Sequence, residues 1–97
     1  MDARMMPAPL PVLMRRDEII SLARASAYAR RSEVQIRRWC KQYGISRQTT
    51  PNSPQEISRV ALEMVLHGDM AALEMLREGE RSAPEVQRYL AFLNIPE

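Results

Sequence analysis

Cysteine and histidine are nearly absent from this chain of 97 residues, which contains only Cys40 and His67. One cysteine cannot form an internal disulfide, so a reducing compartment is the simpler expectation. One histidine cannot supply a His pair for a metal ion, and the sequence contains no Gly-rich phosphate loop. Cys40 falls among apolar residues, which favours a buried thiol over a nucleophile. We therefore expect no enzyme, with no catalytic residues, no metal and no cofactor.

Long apolar runs are also missing. The longest stretch, near Leu10 to Met14, is short and is interrupted by Pro11, so it can neither cross a membrane nor form the core of a signal peptide. Three residues are glycine, 45% are hydrophobic and 27% are charged, which is typical of a folded domain and not of a disordered chain. We expect a cytoplasmic protein with one hydrophobic core, because this length leaves no room for a second.

Acidic residues are scarce in the first half of the chain. Residues 1–49 carry ten Lys/Arg against four Asp/Glu, a net charge of +6, whereas residues 50–97 carry four against eight, a net charge of −4. Thirteen of the fourteen basic residues are arginine, whose planar guanidinium suits phosphates and guanine edges. A GC-rich genome would explain an excess of arginine but not its clustering. The basic half is therefore predicted to bind nucleic acid, and the acidic half to form a different surface.

The chain begins with a predicted arm and a predicted helix. Pro7, Pro9 and Pro11 block a helix within residues 1–14, which we interpret as a flexible or extended arm. A first helix is expected from Asp17, which can cap it. Its apolar stripe would consist of Ile19, Ile20, Leu22, Ala23, Ala27 and Tyr28.

A second helix is predicted over Glu33 to Tyr43, between a Ser32 N-cap and Gly44 at its C-terminal end. Its inward stripe would consist of Ile36, Trp39, Cys40 and Tyr43. Two helices joined by a short turn form a helix-turn-helix. The outer side of the second helix would present Glu33, Gln35, Arg37, Arg38, Lys41 and Gln42.

These outer residues have the chemistry that reads DNA in the major groove. Glutamine pairs with adenine, glutamate accepts from cytosine, and arginine forks onto guanine, while further basic residues hold phosphates. An ordinary solvated face is the alternative interpretation. The adjoining Arg30 and Arg31 and the near absence of acids in this helix favour DNA binding.

Residues 45–57 have no helical stripe. Pro51 to Pro54 predict a turn, and the segments on either side of it predict two short strands of a β-ribbon. A competing interpretation begins the next helix at a capping box over residues 53–56. Both interpretations place Val60, Ala61, Met64 and Val65 in a helix that stops near Gly68. They differ on whether Ser53 or Ser58 caps it.

Two further helices are predicted in the acidic half. Asp69 can cap the first, which would end at Gly79 and contain Met70, Leu73, Met75 and Leu76. Residues 82–85, Ser-Ala-Pro-Glu, have the pattern of a capping box with proline at an early helical position. The helix that follows would place Val86, Tyr89, Leu90 and Leu93 on one face.

Residues 32–39, Ser-Glu-Val-Gln-Ile-Arg-Arg-Trp, resemble the recognition-helix signature of MerR-like and excisionase-type winged helix-turn-helix proteins. That signature has a Ser cap, a Thr-Val-like pair and a closing Arg-Trp. Residues 56–63, Glu-Ile-Ser-Arg-Val-Ala-Leu-Glu, are similar to the end of the family's wing and the start of its next helix. The resemblance covers about residues 17–67.

The resemblance implies a recognition helix in the major groove and a wing over the adjacent minor groove or backbone. Carried over by position, Gln35, Arg37 and Arg38 would face the groove, Arg47 would lie on the wing, and Ser58 would cap the next helix. This chain departs from the family pattern at two places. Arg30 and Arg31 stand where the family often has glycine and an apolar residue, and Gln55 and Glu56 stand where the wing commonly carries an aromatic or basic residue. An acid there argues against deep insertion of the wing.

The prediction as a whole is a mainly α fold, a winged helix-turn-helix with a short two-stranded β-wing and a C-terminal helical extension. Residues 1–14 would be the arm, 15–67 the DNA-binding domain, and 68–97 an extension packed on the same core. The predicted DNA-binding residues are Arg30, Arg31, Ser32, Glu33, Gln35, Arg37, Arg38, Lys41 and Arg47.

The expected partner is double-stranded DNA. The preferred role is that of an excisionase, or recombination directionality factor, which bends DNA and steers a site-specific recombinase (an integrase) of a mobile genetic element. A small transcriptional regulator and a phage DNA-packaging recognition subunit are alternatives, and a protein-interaction adaptor is an alternative of another class. The acidic helices would cap the core, meet a recombinase, or dock on a neighbouring copy in head-to-tail self-association on DNA.

Overall fold

Helices and short strands follow one another along residues 9–96, which are the residues that the computed structural model describes. A 3-10 turn at Arg16–Glu18 precedes them. The elements are β1 (Ile19–Ile20), α1 (Leu22–Ala29), α2 (Glu33–Tyr43), β2 (Ser46–Arg47), β3 (Glu56–Ser58), α3 (Arg59–Leu66), α4 (Met70–Arg77) and α5 (Pro84–Phe92). The protein is therefore mainly helical with a small antiparallel sheet.

The sheet has three strands, one more than predicted. β3 lies in the middle and pairs antiparallel with β1 on one side and β2 on the other. Ile20 and Ser46 both stand opposite Ile57, which is fully buried. The predicted β-ribbon corresponds to the β2–β3 hairpin, and β1 occupies its other edge.

The prediction of a helix from Asp17 was wrong at its start. Ile19 and Ile20 form β1, and α1 begins only after Ser21, whose Oγ accepts a hydrogen bond from the backbone N–H of Arg24 (3.1 Å). Isoleucine is β-branched and suits a strand, so pairing with β3 prevails over the helical spacing. The buried face of α1 therefore consists of other residues than the predicted apolar stripe. The buried residues of α1 are Ala25 and Ala29, while Ala23, Ala27 and Tyr28 are exposed.

Helix α2 agrees with its prediction at both ends. The Oγ of Ser32 accepts from the backbone N–H of Gln35 (3.1 Å) and caps the helix. Gly44 ends it with a left-handed backbone (φ 64°), and a Cβ there would lie only 2.8 Å from the carbonyl oxygen of Leu10. The predicted inward stripe is also observed. Ile36 and Cys40 are buried, and Trp39 and Tyr43 pack against the core from partly exposed positions.

The start of α3 decides between the two predicted caps. The Oγ of Ser58 accepts from the backbone N–H of Ala61 (3.1 Å), so Ser58 caps the helix. Ser53 remains in the loop of the hairpin, bonded to Thr50. Asp69 caps α4 as predicted, because its Oδ1 accepts from the backbone N–H of Ala72 (3.0 Å).

The predicted capping box at residues 82–85 was wrong. The N-cap of α5 is Ala83, which makes no side-chain cap bond, and Pro84 is the first helical residue. Proline has no N–H to satisfy and its φ suits the first turn, so it defines the start of the helix without help from Ser82. The predicted apolar face is present. Val86, Tyr89 and Leu90 are buried, and Leu93 packs partly buried against them.

One hydrophobic cluster extends from Val12 near one end of the described chain to Ile95 near the other. Of the predicted arm, residues 1–8 lie outside the described residues. Val12 is buried, and its N–H donates to the carbonyl of Gly44 (2.9 Å). The guanidinium of Arg77 donates to the carbonyls of Leu10 and Tyr43. Residues 9–14 therefore pack against the C-terminal end of α2.

No helix between residues 9 and 96 combines the length and the apolar character needed to cross a membrane.

Candidate nucleic-acid interface

Two open grooves lie beside α2, where it faces the β2–β3 hairpin. The first has a volume of about 520 Å³, and its lining is Val34, Arg37, Arg38, Cys40, Lys41, Ser46, Gln48 and Gln55. The second has a volume of about 470 Å³, and its lining is Ser21, Leu22, Ala23, Glu33, Arg37, Gln48, Ser53, Pro54 and Gln55. Arg37, Gln48 and Gln55 line both grooves. The outer side of α2 and the hairpin thus form one continuous surface, with Arg37 at its centre.

The positive charge of this surface is not neutralised by its neighbours. Arg37, Arg38 and Lys41 are exposed, and within residues 9–96 none of them forms an ion pair. Among the described residues, the lining of the first groove contains these three cations and no carboxylate. Glu33 is the acid of the second groove. A solvated cluster of unpaired cations beside polar amides is suited to a polyanion that also carries hydrogen-bonding groups.

The hairpin presents two amides from a loop that is internally bonded. Ser53 makes a tight turn with Thr50, because its Oγ accepts from the Thr50 N–H (3.0 Å) and donates to the Thr50 carbonyl (2.8 Å). The Gln48 side chain donates to the Ser53 carbonyl (2.7 Å). This hydrogen bond holds the Gln48 side chain in place at the start of the loop, where it lines the groove beside α2.

Arg47 has a partner within the hairpin. It stands opposite Glu56 in the β2–β3 register, and its Nε lies 2.9 Å from the Glu56 Oε1. Both side chains are substantially exposed, so the pair contributes little to stability. It nevertheless reduces the charge that the hairpin presents. Arg47 is accordingly a weaker candidate for phosphate contact than the cations of α2.

The turn between α1 and α2 holds three of the predicted residues. Arg30 is exposed and has a left-handed backbone (φ 54°, ψ 46°). The guanidinium of Arg31 stacks over Trp39 at 5.9 Å from the ring centroid and donates to the carbonyl of Ala29 (3.2 Å). Ser32 uses its hydroxyl as the N-cap of α2. The side chains of Arg31 and Ser32 therefore make contacts within the protein, and that of Arg30 faces solvent.

Four of the nine predicted residues line the grooves, namely Glu33, Arg37, Arg38 and Lys41. Gln35 is half-buried and lines neither groove. The sequence reasoning missed Val34, Gln48 and Gln55. The two glutamines flank the predicted turn, so the β-ribbon interpretation already placed them near each other. Their approach to α2 depends on long-range packing that the sequence pattern does not contain.

Cys40 lies at the floor of the first groove and is almost completely buried. Burial raises the pKa of its thiol above the ordinary value, so the thiol stays protonated at neutral pH. Among residues 9–96, no group of three or more His, Cys, Asp and Glu side chains is placed to hold a metal ion.

A further cavity of about 390 Å³ lies in the acidic half. Its lining is His67, Arg88, Tyr89, Ala91 and Phe92. Tyr89 and Phe92 meet the His67 ring edge to face, at centroid distances of 5.9 and 6.4 Å. Phe92 is 66% exposed. The cavity is aromatic and carries one permanent cation, Arg88, so its chemistry differs from that of the grooves beside α2.

The buried carboxylate of Glu63 joins α1 to α3. It accepts a hydrogen bond from the Tyr28 hydroxyl, and the Nδ1 of His67 lies 3.6 Å from its Oε2. This hydrogen bond raises the pKa of Tyr28 to about 12. Burial, together with a bond to Asp69, raises the pKa of Tyr89 to about 12. Both phenols remain protonated at neutral pH, so they act as structural donors and not as bases.

Comparison of the chain with protein-family models, with curated proteins and with solved structures finds no significant match. The geometry and charge of the surface beside α2 are therefore the features that indicate a function.

Proposed function

We propose that this protein binds double-stranded DNA in a sequence-specific manner as a winged helix-turn-helix, without catalysing a reaction. In this proposal α1 and α2 form the helix-turn-helix, α2 enters the major groove, and the β2–β3 hairpin is the wing over the adjacent backbone or minor groove. The observation that carries it is the set of exposed cations Arg37, Arg38 and Lys41, which have no ion-pair partner within residues 9–96. The glutamines of the hairpin line the same grooves.

The dimensions of α2 are compatible with this arrangement. A helix is about 10–12 Å across with its side chains, and the major groove of B-DNA is about 12 Å wide. The eleven residues of α2 span about 16 Å at the usual rise per residue. Such a length offers base contacts near the N-terminal end of α2 and phosphate contacts toward its C-terminal end. Glu33 and Arg37 are the candidates for base edges, and Lys41 is a candidate for phosphate.

The biological role within this class is a narrower proposal. The resemblance of residues 32–39 and 56–63 to excisionase-type proteins supports a recombination directionality factor, with a recombinase as partner. A transcriptional regulator would use the same contacts at a promoter. Retention of sheared source-genome DNA on the purified protein, followed by sequencing, separates them. Sites beside an integrase gene or attachment site support excision, whereas sites at promoters support regulation.

DNA binding itself is tested by two matched arginine variants. Arg38→Ala is expected to weaken binding of the retained DNA by about 1–3 kcal/mol if it meets a base edge. If it contacts a phosphate instead, the slope of log affinity against log salt falls by about one. Arg88→Ala removes an exposed arginine from the aromatic cavity of the acidic half and serves as the control. Equal losses in the two variants, or binding that does not depend on salt, would refute the proposal.

A further inference from the structure

Val34 is an apolar residue on a surface that is otherwise polar. It is 55% exposed, and it is not part of the hydrophobic cluster or of the residues packed against that cluster. The other apolar residues of α2 are Ile36, Trp39, Cys40 and Tyr43, and all of these contribute to the core or pack on it. Within residues 9–96, the Val34 side chain is therefore not part of the hydrophobic packing.

Val34 lies in the first turn of α2, on the side of the helix that carries its cations. Arg37 and Arg38 follow it at the i+3 and i+4 positions, where helical side chains are neighbours, and Lys41 is two turns away on the same side. Val34 lines the first groove together with these cations and with Gln48 of the hairpin. A polyanion that bound in this groove to Arg37 and Arg38 would lie within one helical turn of Val34.

A valine at this position is unfavourable in the free protein. β-Branched side chains lose rotamer freedom in a helix, so valine is a poorer helix former than alanine. Here the side chain is more than half exposed and does not belong to the hydrophobic cluster of the described residues. A bound partner that covered Val34 would bury the exposed part of this side chain.

We infer that Val34 reads the 5-methyl group of a thymine in the DNA target. This inference depends on the proposed function, since it assigns a base contact to the helix proposed to enter the major groove. Among the groups that the four base pairs display in that groove, the thymine methyl is the one apolar group; the rest are hydrogen-bond donors and acceptors. Flanking arginines that hold phosphates or guanines would bring the valine against it. Val34 is thus a specificity-determining residue for thymine.

The test begins with selection of a binding site. Duplexes with a randomised central window are enriched on the protein, and the enriched duplex is then resynthesised with uracil in place of each thymine in turn. Uracil pairs with adenine as thymine does but lacks the methyl group. One thymine position is expected at which this replacement weakens binding about fourfold, which corresponds to one methyl-sized group removed from an apolar contact.

The same pair of duplexes is then measured with Val34→Ala, which is expected to bind both equally. Arg38→Ala is the matched control, because it should weaken binding to both duplexes while keeping the fourfold difference between them. Thermal unfolding of Val34→Ala checks the fold, and an unchanged or slightly raised Tm is expected.

Three other outcomes would overturn the assignment of Val34. If a site is enriched but uracil is tolerated at every position, the inference is wrong and the proposed DNA binding stands. If the fourfold difference persists in Val34→Ala, another residue reads the methyl group and the inference is again wrong. If no sequence is enriched, sequence-specific binding fails, and the assignment of Val34 fails with it.

Discussion

Arg30 has a backbone conformation that suits glycine, and Arg30→Gly therefore tests the turn between α1 and α2. Its φ and ψ are 54° and 46°, in the left-handed region where a Cβ crowds the carbonyl oxygen. The conformation is held by the Arg30 N–H, which bonds to the carbonyl of Ser26 at the end of α1. Many helices end in this way with glycine at that position.

The expected change is the difference between two terms. A left-handed backbone costs an ordinary L-residue about 1–2 kcal/mol. Glycine removes that strain but loses about 0.5–1 kcal/mol more conformational entropy on folding. The net gain of Arg30→Gly is therefore about 0.5–1 kcal/mol. In a domain of this size such a gain raises Tm by about 2–8 °C.

Arg30→Ala is the matched control, because it removes the same guanidinium and retains the Cβ. Urea unfolding can be followed by the fluorescence of Trp39, which is the single tryptophan of the chain. We expect Arg30→Gly to be more stable than both the parent and Arg30→Ala. A glycine variant that is no more stable than the alanine variant would mean that residue 30 is not left-handed, and the assigned turn would be wrong.

Two further predictions concern the N-caps of α3 and α5 and the titration of the buried Tyr89 hydroxyl. Ser58→Ala removes the buried cap of α3 and should lower the free energy of unfolding by about 1–2 kcal/mol. Ser82→Ala should leave the free energy of unfolding unchanged, because Ala83 and not Ser82 is the N-cap of α5. Equal effects of the two variants in urea unfolding would contradict the assigned caps. The pKa of Tyr89 is raised from 10.0 to about 12, so the unfolded chain loses this proton first. The contribution of Tyr89 to stability should therefore hold up to about pH 10 and fall by about 2–3 kcal/mol toward pH 12. Because the pKa of Tyr28 is also raised to about 12, Tyr89→Phe should remove part of the total decline, and a variant that keeps the whole decline would refute this cause.

Helix α2 could be predicted from the sequence because its signals are local. Ser32 and Gly44 mark its two ends on either side of eleven helical residues, and its apolar spacing fits one helical face. The caps at Ser58 and Asp69 are local in the same sense, since each bonds a backbone N–H three residues away. An element whose stabilising contacts are made between residues close in the sequence can therefore be predicted from the sequence pattern.

Strand β1 could not be predicted in this way, because its cause is distant in the sequence. Ile19 pairs with Ser58 across the sheet, and two isoleucines fit a helical stripe as well as a strand. The pair of Arg47 and Glu56 is hidden for a similar reason. Only the register of β2 and β3 brings these two side chains together. The sequence therefore placed Glu33, Arg37, Arg38 and Lys41 on the surface beside α2, but it did not indicate that Gln48 and Gln55 of the hairpin line the same grooves.

Three of the four arginines of the acidic half make contacts within the protein, unlike the exposed Arg37 and Arg38 of α2. Arg59 donates to the carbonyl of Leu93 (3.0 Å), Arg77 donates to Tyr43 and Leu10, and Arg81 is paired with the fully buried Glu18. These guanidinium groups are engaged by carbonyls and by carboxylates of the same chain.

These arginines differ from those of α2 in how accessible they are to a partner. A count of charges along the sequence treats every arginine as equally available to a partner, but Arg59, Arg77 and Arg81 are directed into the fold. The exposed cations of α2 are not. A partner that contacts the molecule therefore finds more accessible guanidinium groups on α2 than at Arg59, Arg77 and Arg81. Arg77 also attaches α4 to the last turn of α2, because its guanidinium donates a hydrogen bond to the carbonyl of Tyr43 (2.5 Å). The acidic half thus holds in place the helix that presents the basic surface.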